Sequence, residues 1–160
     1  MAFNFAYELA KEGFVVISGL ARGIDTYAHL GAVKAGGKTI AVLGSGLKHI
    51  YPSENKKLCN EIVKNGGAII TEYEPHTKPL PMNFPSRNRI ISGLSNGVLV
   101  VEAKQKSGTL ITVDYALEQG KDVFVIPGNI TSTNSYGTNE LIKQGAKPVT
   151  NIQEIIEEII

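Results

Sequence analysis

Arginine is scarce in this chain. Sixteen side chains are cationic, yet only Arg22, Arg87 and Arg89 are arginines. Cysteine is scarcer: Cys59 stands alone, which excludes an internal disulfide framework and fits a reducing compartment. Between Leu58 and Ile62 it reads as a small core hydrophobe. Net charge is only +1, so no global field draws in a polyanion, and any such binding must come from a local cluster. No apolar run approaches the roughly 18 residues a membrane span needs. The opening Met-Ala-Phe-Asn shows no charged stretch followed by an apolar block, so no secretory signal is legible. The cytoplasm is the expected compartment. His29, His49 and His76 are scattered without metal-ligand spacing. No Gly-x-Ser-x-Gly nucleophile turn and no Walker P-loop occurs. Glu72, Glu102 and Asp114 carry no spacing that pairs them as acid and base.

What is present is an ordinary core. The 160 residues are 42% apolar and 19% charged, enough for one domain. Four continuous apolar runs, Phe14-Val-Val-Ile17, Thr39-Ile-Ala-Val-Leu43, Val98-Leu-Val-Val101 and Val123-Phe-Val-Ile126, predict buried strands, and residues 68–73 a fifth, mixed one. Helical patterns cover residues 3–12, 25–35, 54–64, 86–95, 109–119, 139–144 and 151–160. Asn151 with Glu154 resembles a capping box. Strand and helix alternate at the spacing of βαβ units. The expected fold is therefore α/β, a doubly wound, mostly parallel sheet with helices on both faces. Ligands in such sheets lie beyond the carboxyl ends of the strands, where the glycine-bearing turns of this chain fall. The chain opens on a helix rather than a strand, which predicts a single domain lacking its first strand.

The cations that matter cluster in two segments. Phe84-Pro-Ser-Arg-Asn-Arg-Ile-Ile-Ser-Gly-Leu-Ser95 sets two guanidinium forks beside an aromatic face, a combination suited to single-stranded nucleic acid. The plainer alternative is an exposed arginine pair with Phe84 under a loop. Ser18-Gly-Leu-Ala-Arg-Gly-Ile-Asp25 places Arg22 at a helix start, where the dipole disfavours it by a few tenths of a kcal/mol. A ligand or a surface ion pair would each explain that placement. Asp25 fits a helix N-cap better than a catalytic acid.

Gly44-Ser-Gly46 after a strand permits backbone approach to a phosphate, or simply turns the chain, since the third glycine of a dinucleotide fingerprint is replaced by His49. Ser107-Gly-Thr-Leu-Ile-Thr112 opens a helix and is compatible with capping and with anion binding. Lys56-Lys57 reads as a solvated face that can add a phosphate contact.

Taken in order, these motifs, with Tyr51-Pro52, Asn55, Val101-Glu-Ala103 and Gly137-Thr-Asn-Glu-Leu-Ile142, resemble the DNA-processing protein A (Smf) family from residue 3 to residue 150. The resemblance implies an extended Rossmann-like domain of a cytoplasmic bacterial protein. Such proteins bind single-stranded DNA during natural transformation and load a RecA-type recombinase. They act as homodimers, with no known catalysis and no cofactor. The DNA-contact set it implies is Ser18, Gly19, Arg22, Gly23, Gly44, Gly46, Lys56, Phe84, Arg87, Asn88, Arg89, Ser107, Gly108 and Thr109. Arg22 meets phosphate, Phe84 stacks on a base, and Arg87, Asn88 and Arg89 hold backbone and base edges. The implied dimer contact is Asn139, Ile142 and Pro148. The family's first strand with its glycine-serine-arginine turn and its accessory domains have no counterpart here. Lys48-His49 stands where relatives often carry an acid. Weaker DNA binding than that of an intact relative is expected.

A second reading is a nucleotide-processing enzyme resembling the lysine-decarboxylase-like phosphoribohydrolases, with Glu102 as acid. Against it, no double glycine precedes Gly108 and no glutamate soon follows Thr109. A third is a protein-interaction scaffold, disfavoured by the grouping of all three arginines in two loops.

Overall fold

The computed structural model describes all residues 1–160. It falls into two compact units, Met1–Arg87 and Asn88–Ile160. The first contains α1 (Ala2–Lys11), β1 (Val16–Ser18), α2 (Ile24–Lys34), β2 (Thr39–Val42), α3 (Lys56–Lys64) and β3 (Ala68–Ile70). The second contains β4 (Gly97–Val100), α5 (Gly108–Glu118), β5 (Asp122–Val125), α6 (Tyr136–Lys143), β6 (Lys147–Pro148) and α7 (Gln153–Ile159). The unit boundary falls within α4 (Asn83–Leu94).

The α/β class is as expected, and every strand pair is parallel. The strands form two three-stranded sheets, β1-β2-β3 and β4-β5-β6. Register is set by Val16 opposite Thr39 and Ile40 opposite Ala68 in the first, and by Gly97 opposite Asp122 in the second. Each sheet has its own core. Leu20, Ala41, Leu43, Leu58, Cys59 and Ile62 pack together in the first unit. Val100, Val113, Ala116, Val123, Val125 and Leu141 do so in the second. Cys59 is buried, and burial pushes its thiol pKa up, away from the reactive thiolate.

Local chemistry moved several boundaries. β1 starts at Val16 rather than Phe14 because the Phe14 N–H closes α1 on Leu9 O at 3.0 Å, across a left-handed Gly13. α4 starts three residues earlier than residue 86, at Asn83. Pro85 is tolerated there because first-turn N–H groups have no partner within a helix. Asn151 Oδ1 accepts from the N–H groups of Gln153 and Glu154, as a cap should, while Glu154 Oε2 reaches back to Thr150 N at 2.6 Å. The short β6, which pairs with β5, carries no apolar run and was not legible in the sequence.

Candidate nucleic-acid interface

The carboxyl end of β1 turns sharply through Gly19, Leu20 and Ala21. Leu20 is left-handed at φ 60°, a costly conformation for a bulky residue, yet its side chain is fully buried in the core. Polar side chains hold this turn from three directions. The Asp25 carboxylate accepts from Gly19 N at 3.0 Å and Ala21 N at 3.2 Å. Asn55 Nδ2 donates to Leu20 O and Thr26 Oγ1, both at 2.9 Å. Arg87 Nη1 donates to Gly19 O at 2.8 Å and to Val42 O, at the end of β2, at 2.5 Å. Asp25 thus sits inside α2 as a loop clamp. The N-cap is Gly23, at φ 82°.

Arg87 is therefore a framework residue. It is 4% exposed, and burial pulls its guanidinium below the usual value while Asp25 and Tyr73 oppose the shift. A Cβ on Gly19 would lie 2.7 Å from the Arg87 guanidinium carbon, so that glycine makes room for the arginine. Arg87 and Gly19, both expected as DNA contacts, are engaged with other parts of the chain. Tertiary burial claims the guanidinium, and the Gly19 N–H and carbonyl are already bonded within the protein.

Gly44-Ser45-Gly46 is likewise buried. A Cβ on Gly44 would press on Phe84 Cδ1 at 2.8 Å, and one on Gly46 would meet Glu74 O at 2.0 Å. Gly46 N donates to Thr77 O at 2.8 Å, and Ser45 Oγ donates to His49 O at 2.6 Å. These glycines do allow close backbone approach, but to other parts of the chain.

Outward from Arg87 runs a stack of guanidinium and aromatic groups. The Arg87 guanidinium lies 5.5 Å from the Phe84 ring centre. Phe84 and Tyr51 are 5.7 Å apart and tilted by 52°. The Arg22 guanidinium lies 5.4 Å from the Tyr51 ring centre. These separations are those of cation–π and edge-tilted aromatic contacts. The outer end is open: Tyr51 is 41% exposed and the Arg22 side chain 62%. Phe84 is half-buried and Tyr51 exposed, so Tyr51 is the more accessible ring. Its site role was not legible from residue type. The only signal was its place near Asn55, which clamps the Leu20 turn.

Arg22 also meets Glu54, Nε to Oε1 at 2.5 Å and Nη2 to Oε2 at 3.2 Å, with Nη1 to the Tyr51 hydroxyl at 3.3 Å. The contact raises the arginine pKa and lowers that of the Glu54 carboxyl. Ser18 is half-buried at the end of β1. Gly23 is exposed, with open space where a Cβ would stand. Lys56 is exposed at the start of α3, beside a groove of about 390 Å3 lined by Leu47, Ile50, Cys59, Asn60, Val63 and Ile69.

In the second unit, Asn88 Nδ2 is 3.4 Å from Gly108 O, and Ser107 Oγ caps α5 by accepting from Thr109 N at 3.2 Å. Arg89 is exposed, and its carbonyl accepts from Gln119 Nε2 at 3.0 Å. Gly108 is exposed with open space above it, so the start of α5 is approachable. The expected dimer residues divide. Asn139 clamps Gly128 through both its N–H and its carbonyl, at 3.2 and 3.1 Å, and Ile142 packs on the second core. Only Pro148 is exposed.

A model of the family described as DNA recombination-mediator protein A matches residues 1–160. The chain belongs to that family. It is 47% identical to DNA processing protein DprA of Bacillus subtilis over 152 residues, covering 95% of this chain and 51% of that protein. The chain spans about half the length of the curated relatives it matches. The X-ray structure of DNA processing protein A from Streptococcus pneumoniae superposes with a TM-score of 0.89 at 48% identity, over 98% of this chain and 55% of that one. A structure of the Helicobacter pylori protein, described by its single-stranded DNA binding mode, gives 0.87 at 36% identity, over 99% and 71%. For this member of the family, the family assignment and the α/β fold read from the sequence are both met.

Beneath the site, His29 is fully buried. Thr39 Oγ1 donates to Val16 O at 2.7 Å, so the network assigns the proton to His29 Nδ1, 2.7 Å from that hydroxyl. Burial lowers the His29 pKa from 6.5 to about 4, against Asp25, which raises it, and with Arg87, which lowers it further. The folded protein thus binds this proton less readily than the unfolded chain. His29's contribution is fully present above the unfolded value and declines as pH falls towards the folded one, by about 2 kcal/mol at about pH 5. Urea unfolding near neutral pH and at the acid value checks this: His29→Gln is expected to lose that part of the pH dependence.

Proposed function

We propose that this chain is a non-catalytic module that binds single-stranded DNA. In the first unit Arg22 takes a backbone phosphate, Tyr51 with Phe84 offers a stacking face, and Ser18, Gly23 and Lys56 lie alongside. In the second, Asn88, Arg89, Ser107, Gly108 and Thr109 add polar and backbone contacts around the start of α5. The observation that carries the reading is the open Arg22–Tyr51–Phe84 stack. It sets a planar cation against aromatic faces, as unpaired bases and their phosphates require. The description of the Helicobacter pylori relative by its single-stranded DNA binding mode supports it.

The wider reading is a cytoplasmic role in natural transformation. There the protein delivers strands to a RecA-type recombinase and pairs with a second copy through the exposed Pro148 side of β6.

Fluorescence anisotropy with a labelled oligo-thymidine strand tests the core proposal. Binding is expected to fall steeply with salt and to exceed that of a duplex of equal length. Tyr51→Ala is expected to cost about 1–3 kcal/mol, the usual value of one stacked base. Arg22→Ala is expected to weaken binding at every sequence and to flatten the salt slope by about 0.7. Equal affinities for wild type and both variants would remove the site.

A further inference from the structure

We infer that Glu54 is an internal anion that occupies the Arg22 guanidinium and is exchanged for a backbone phosphate when a strand binds. The inference rests on the single-strand reading above. Two nitrogens on one edge of the Arg22 fork meet the two oxygens of one carboxylate, Nε to Oε1 at 2.5 Å and Nη2 to Oε2 at 3.2 Å. Two oxygens of a phosphate satisfy the same fork in the same way. Glu54 therefore stands where the ligand's own oxygens belong.

The surroundings fit exchange. The guanidinium keeps two supports that are not anionic, the Tyr51 ring at 5.4 Å and the Tyr51 hydroxyl at 3.3 Å. Losing the carboxylate thus leaves the fork placed. Both partners are open, with side chains 62% and 53% exposed, so a displaced Glu54 swings into water without disturbing the core. Its backbone is fixed by the adjacent Asn55, which is buried and bonded to Leu20 O and Thr26 Oγ1. The carboxylate is thereby held at a high effective concentration beside Arg22, and an incoming anion has to outcompete it.

An exposed ion pair is weak, so the competition is modest. Glu54→Gln keeps the side-chain shape, removes the charge and is expected to tighten oligo-thymidine binding about two- to fivefold. The salt slope is expected to steepen by about 0.7, one further phosphate's worth for a single strand. Arg22→Ala and the Arg22→Ala, Glu54→Gln pair are expected to bind alike, because the gain acts only through Arg22.

The test is anisotropy of all four proteins at two salt concentrations, with thermal midpoints to confirm folding. Alongside it, the Arg22 Nε–Hε resonance is followed while inorganic pyrophosphate is added. The resonance is expected to respond at lower pyrophosphate in Glu54→Gln than in wild type. Weaker or unchanged binding by Glu54→Gln overturns the inference and makes Glu54 a support for Arg22. So does a gain that survives in the double variant, or an Arg22 resonance that pyrophosphate leaves unmoved in both proteins. Failure of the wild type to bind the strand sinks the single-strand reading instead, and the pyrophosphate arm still decides the role of Glu54.

Discussion

Arg87→Ala is expected to destabilise the first unit by about 2–6 kcal/mol, since two buried carbonyls are each left without a donor at about 1–3 kcal/mol. Those carbonyls, Gly19 O and Val42 O, end adjacent strands, and the guanidinium is the donor that spans them. The same substitution removes the cation beneath Phe84 and opens a cavity beside the left-handed Leu20 turn. Lysine is expected to restore only part of the loss: both bonds leave the single Nη1, which an ammonium can imitate, but the planar group set against Phe84 is gone. Urea unfolding of the wild type, Arg87→Ala and Arg87→Lys measures the effect. A ligand-contact arginine would behave in the opposite way, leaving the midpoint unmoved while DNA affinity fell.

Gly46→Ala carries the second large effect. The new methyl would stand 2.0 Å from Glu74 O and 2.4 Å from Pro75 O, and both are backbone atoms that cannot rotate away. The loops must separate by more than an ångström, and Gly46 N to Thr77 O and Lys48 N to Pro75 O stand in the way. Overpacking of this kind costs about 1–3 kcal/mol, with the strained hydrogen bonds in addition. A thermal midpoint lowered by several degrees is expected. Were Gly46 instead a place where phosphate meets backbone, the substitution would reduce DNA affinity and leave the folded state as stable as before.

Both predictions give a packing role to a residue that the sequence offered as a contact, for one physical reason. Glycine and arginine are as useful for packing one loop against another as for packing a loop against a ligand. Gly44 before a nest of N–H groups and Gly44 beneath Phe84 read identically in one dimension. Arg87 and Arg89 look equivalent two residues apart, but they point to different sides of α4: one is buried and the other exposed. Tyr51 and Glu54 carried no chemical signal by type. They enter the site because Asn55 pins their segment to the Leu20 turn. Nothing in the residue types of Asn139 and Ile142 shows that one clamps the Gly128 loop and the other packs on the second core.

What the sequence determined by itself is local. Continuous apolar runs between glycine-stopped helices specify an α/β chain with parallel strands, because strand length, helix period and chain reversal are all settled within a few residues. The ordered motifs identified the family for the same reason, being short segments whose letters are read directly. The tertiary structure alone decided which cation is buried and which is open. That choice depends on the approach of segments far apart in the chain, such as Arg87 and Gly19, 68 residues distant. Burial and hydrogen-bond competition across such distances are properties of the packed molecule, and no window of sequence contains them.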